Sequence, residues 1–90
     1  MIRLIEVIKE LSKYSLREIF INPERVISLR EDNHMKQNLT EGRLPEGLVN
    51  QQSFTKLVLD KGTVGLEITV VGTPTLIESK LRGEKVLLNG

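Results

Sequence analysis

Ninety residues bound this chain to a single domain, 1–90, able to bury roughly 60–65% of the surface its unfolded form exposes. Thirteen basic and twelve acidic residues give a formal charge of +1 with the signs interspersed, which argues against a dedicated nucleic-acid binder, whose basic residues cluster. The absence of cysteine excludes a disulfide framework and a thiolate metal site, and no apolar run approaches the ~20 residues of a membrane span.

The N-terminal stretch carries Arg3, Glu6 and Lys9 among its apolar residues, unlike a signal peptide. The expectation is a soluble, cytoplasmic protein without a membrane partner. Tyr14, Phe20 and Phe54 are the only aromatics, so the core must be aliphatic, and a small aliphatic core favours oligomerisation.

Residues 2–8 read as a strand, because the next segment, Leu16 to Ile21, is a strand that needs a partner. The same apolar positions also suit a helix running through Lys13, and both readings stand. Residues 9–15 form the connection. Asn22-Pro23-Glu24 is a turn: Asn bonds its own downstream backbone and Pro presets φ. Arg25 to Arg30 resumes a strand, with Ile27 and Leu29 on one face.

Glu31 to Gln52 breaks the pattern with Gly42, Pro45, Gly47, three Gln, three Asn and isolated apolar residues. It reads as a long mobile loop over about residues 32–52, a length that in a compact domain signals function or disorder. Met35 and Leu39, at i and i+4, fit one short helical turn. Met35, Leu39, Leu44 and Leu48 are the candidate protein-binding contacts of this loop.

Phe54 to Leu59 and Val64 to Val71 form a hairpin. Phe54, Lys56 and Val58 lie on one face of the first strand, and Thr55, Leu57 and Leu59 on the other. Asp60-Lys61-Gly62-Thr63 is the turn, with Gly62 supplying the positive φ of a three-residue loop. Gly72 ends the second strand. Thr73 is an N-cap, Pro74 occupies the first helical position, and Gly83 is a natural C-terminal stop. Lys85 to Leu88 reads as a short edge strand or a docking tail. The fold class is α+β: a twisted antiparallel sheet of about five strands with a C-terminal helix packed on it.

Catalytic chemistry finds no constellation. His34 stands beside Asp32 with no second His, no Cys and no Ser in a nucleophile context. Glu31 and Asp32 lack the spaced ligands of a calcium loop. Gly62, Gly65 and Gly72 form no phosphate cradle, so no metal or cofactor is expected. A base-stacking platform of Tyr14, Phe20 and Phe54 requires all three on one exposed face, and scattered aromatics are more often core. Were nucleic acid the partner, Arg3, Arg17, Arg25, Arg30 and Lys56 are the candidate contacts.

The stretches Glu18-Ile19-Phe20-Ile21-Asn22-Pro23-Glu24-Arg25-Val26-Ile27 and Thr69-Val70-Val71-Gly72-Thr73-Pro74, with Ile77 and Leu81, resemble the small FlbD-type proteins associated with bacterial flagella and swarming. The chain also resembles small uncharacterised proteins of tailed bacteriophages. Residues 32–52 have no counterpart in the FlbD-type pattern, and Lys9–Ser15 lengthens its first connection. The resemblance implies a regulatory or accessory role and supplies no catalytic residues. The expectation is therefore a non-enzymatic protein acting by protein–protein interaction and self-association, with nucleic-acid binding through a sheet face as the alternative.

Overall fold

The structure, a computed structural model, describes residues 1–40, 42 and 52–89, and of residues 40 and 84–89 the backbone alone. Five strands form one antiparallel sheet: β1 (Ile2–Glu10), β2 (Lys13–Ile21), β3 (Val26–Glu31), β4 (Phe54–Lys61) and β5 (Val64–Val71). Their order is β2-β1-β5-β4-β3. Among the described residues two helices complete the fold, α1 (Asn33–Thr40) and α2 (Pro74–Asn89). The α+β class and the five-stranded sheet with its C-terminal helix are as the sequence predicts.

The strand reading of the N-terminus holds and extends further than expected. β1 and β2 pair without interruption from Ile2↔Ile21 to Glu10↔Lys13. The connection is therefore Leu11-Ser12, not residues 9–15. The second hairpin likewise closes at Lys61↔Val64 on Gly62-Thr63, a two-residue loop where three were expected. In each loop only the first residue has positive φ, Leu11 at 57° and Gly62 at 80°. That is the type II′ pattern, whose twist matches that of paired strands.

Edge strands β2 and β3 lie at opposite sides of the ladder, and Ile21 and Val26 stand at diagonally opposite corners of it. Only Asn22 and a single 3-10 turn, Pro23–Arg25, join them. So short a link reaches at most ~3.6 Å per residue, so the sheet must coil until these corners approach. Asn22 helps fix the turn, its side chain accepting from the Glu24 amide at 3.0 Å. Coiling gives the sheet an inner face. There Ile2, Leu4 and Ile21 join Leu57, Ile68 and Val70 in one core, with Ile19, Val26, Leu29 and Leu59 packed against it.

α2 closes this inner core. Ile77, fully buried, inserts among the sheet residues, and Leu81 packs beside it. The N-terminus of α2 is built as the sequence predicts: the Leu76 amide donates to Thr73 Oγ1 at 3.1 Å, and Pro74 opens the helix. Its C-terminal stop is not. The helix runs through Gly83 to Asn89, so residues 85–88 are helical rather than a strand or tail. Gly costs about 1 kcal/mol in a helix interior, too little to end one whose flanking residues are good helix formers.

The outer face carries α1, within the span expected to be a loop. Asp32 caps it: Oδ1 accepts from the Met35 amide at 3.0 Å and Oδ2 from the Thr69 hydroxyl at 2.7 Å. Met35 and Leu39 pack with Val7 and Phe54 in a second core, flanked by Tyr14, Leu16 and Val71. Residues 41 and 43–51 lie outside the described residues.

Candidate functional site

The expected binding contacts of the 32–52 segment are redistributed. Met35 and Leu39 are 9% and 8% exposed, occupied by the intramolecular core beneath α1. They offer no surface to a partner. Leu44 and Leu48 lie outside the described residues.

Of the five candidate nucleic-acid contacts only Arg30 and Lys56 come together, as cross-strand neighbours. Arg17 lies on the inner face, and Nε donates to Glu6 Oε1 at 3.1 Å. Arg3 pairs with Glu18 at 3.0 Å, and Arg30 with Glu67 at 3.9 Å. Arg25 stands on the 3-10 turn, whereas Lys56 lies directly across the ladder from Arg30. The aromatic platform also dissolves. Phe54 is fully buried and Tyr14 is half-buried, its hydroxyl accepting from Asn38 Nδ2 at 3.2 Å. Phe20 alone is exposed, at 58%. His34 sits exposed in the first turn of α1, and among the described residues no three His, Cys, Asp or Glu side chains gather as a metal site.

What the structure does bring together is an edge. β2 is nine residues long and pairs with β1 alone among the described strands. The two-residue loop closes on a hydrogen-bonded pair, Glu10 with Lys13. In an antiparallel ladder such pairs alternate with non-bonded ones. With the β1–β2 register unbroken, the odd-numbered residues of β2 turn their backbone groups to β1. Tyr14, Leu16, Glu18 and Phe20 turn theirs outward, with no strand among the described residues to meet them. The opposite edge differs. β3 has six residues, and its register with β4 shifts between Val26 and Ser28. A short, bulged edge resists further pairing, whereas a long regular one invites it.

Apolar surface borders the C-terminal half of β2. A cavity of about 250 Å³ is lined by Ile19, Phe20, Ile21, Leu59 and Leu66 together with polar residues at its rim. A wider one, about 460 Å³, lies between Phe20, Met1 and Ile2 on one side and Ser79 and Gly83 of α2 on the other. Phe20 thus borders both hollows. Sequence reasoning placed it in the core. The missed signal was its parity: Ile19 and Ile21 alternate inward, which puts Phe20 on the opposite face.

No protein-family model, curated protein or solved structure matches this chain. The likeness to FlbD-type and phage proteins therefore rests on the motifs quoted above.

Proposed function

We propose that this chain is a non-enzymatic interaction module that self-associates by pairing the β2 edge of one copy with that of another. The observation that carries the reading is the nine-residue regular edge with outward backbone groups at Tyr14, Leu16, Glu18 and Phe20. Each such pairing adds main-chain hydrogen bonds, and the exposed Phe20 adds apolar area beside them. The accessory role implied by the FlbD-type resemblance agrees with a module of this kind. The nucleic-acid alternative draws less support, because Arg3, Arg17 and Arg30 are each held by a carboxylate.

Sedimentation velocity across micromolar to millimolar concentration tests the reading. Glu18→Pro removes an outward-facing N–H, a change edge strands tolerate, and leaves the β1 ladder intact. The wild type should form dimers and this variant should remain monomeric with an unchanged far-ultraviolet spectrum. A wild type that stays monomeric throughout would remove the proposal.

A further inference from the structure

Resting on the reading of β2 as the pairing edge, we infer its register: two copies pair antiparallel about Leu16, and Leu11 of each seats in the apolar cavity of the other. Closed homodimers carry a two-fold axis. An axis normal to the sheet keeps the outer face outermost in both copies, so only residues of the same face stand opposite each other. The registers that use most of β2 are centred on Leu16, Arg17 or Glu18. The second sets Arg17 against Arg17 and the third Glu18 against Glu18, and like charges directly opposite destabilise a sheet. Centring on Ser15 sets Lys13 against Arg17. The Leu16 register sets Arg17 opposite the second copy's Ser15, Glu18 opposite its Tyr14, and Phe20 opposite its Ser12. No like charges stand opposite.

This register carries the hairpin tip to the second copy's Ile21. Leu11 is 99% exposed and is the one described non-glycine residue with positive φ. An apolar side chain held in water, on a backbone conformation disfavoured for L residues, is unfavourable on two counts. At the second copy's Ile21 lies the apolar cavity of about 250 Å³. A cavity of about 150 Å³ already holds a benzene ring, so a leucine side chain fits. The contact is reciprocal: each copy donates one Leu11 and receives one.

Leu11→Gly isolates the knob, because glycine accepts the same φ and the monomer fold is not at risk. Its dimer dissociation constant should rise about a hundredfold or more, the loss expected for two unburied leucines, while the monomer unfolds no more readily. Register is read separately by cysteine cross-linking, since the chain has no native cysteine. Mixing Ser12→Cys with Phe20→Cys, both at exposed positions, should give a disulfide-linked heterodimer. A dimer abolished by Glu18→Pro but indifferent to Leu11→Gly, or an Arg17→Cys variant that cross-links readily to itself, overturns the register and leaves the β2 pairing standing. Absence of any wild-type dimer overturns both.

Discussion

The two hairpins of this chain share a loop geometry and differ in what fills it. β4–β5 turns on Gly62, which takes its 80° φ without a Cβ clash, and Asp60 Oδ1 accepts from the Gly62 amide at 3.2 Å. It lies inside the sheet, flanked by β1 and β3. At this turn the residue type agrees with the backbone it must adopt, although Val64 beside it is exposed. β1–β2 turns on Leu11 at 57° and runs along the sheet's open side with Phe20 in water. Where a sequence departs from its own local rules without an intramolecular gain, the gain is sought outside the monomer. One hairpin maintains the fold; the other is fitted for contact.

The largest test of that contrast compares two phenylalanines. Phe54→Ala, in a fully buried site, should cost about 3–5 kcal/mol and leave a domain this small largely unfolded by denaturant titration. Phe20→Ala should leave the monomer's stability within about 0.5 kcal/mol while weakening association. Equal losses at the two sites would erase the distinction.

Asp32→Ala comes next. It removes the α1 cap and leaves the Thr69 hydroxyl without its acceptor, an expected loss of about 1–2 kcal/mol in chemical denaturation. Accelerated hydrogen exchange confined to α1 would locate the damage. An unchanged midpoint would mean that α1 docks through Met35 and Leu39 alone.

The turns themselves give the smaller effects. Gly62→Leu should destabilise by about 1–2 kcal/mol, the penalty of an L residue in the left-handed region. Leu11→Gly should do the reverse by about 0.5–1 kcal/mol, since relief of that penalty is offset by the greater freedom of glycine in the unfolded chain. Opposite signs in thermal midpoints establish that the loops are equivalent in geometry and unequal in fitness. Two shifts of the same sign would break the comparison.

The same residues explain what could be read in advance. The alternation of Phe54 to Val71 and of Leu16 to Ile21 is strong because one face of each is buried, so strands, order of elements and the α2 cap were legible. Leu11-Ser12 carries no turn chemistry, so the pattern alone spreads the first connection over residues 9–15. α1 is legible only as the helical turn that Met35 and Leu39 mark at i and i+4: Asn33-His34-Met35-Lys36-Gln37-Asn38-Leu39-Thr40 offers no other apolar residue, and its stability comes from Asp32, Thr69 and the Phe54 pocket. The edge was legible as a possibility only. Which side of the sheet stayed open depended on the coil that the Asn22–Arg25 link imposes, a tertiary fact that no local pattern encodes.

The seam between the hairpins has a kinetic meaning. β1 and β5 are paired at just Glu6↔Val70 and Val7↔Thr69, joining segments from opposite ends of the sequence. Each hairpin closes locally, on the order of 1–10 μs, whereas a seam between such distant residues must await closure of a long loop. The rate-limiting barrier then lies where two ladder positions meet. Val7→Ala and Val70→Ala should slow refolding in stopped-flow measurements nearly in proportion to their cost in stability, while Leu59→Ala should act mainly on the unfolding limb.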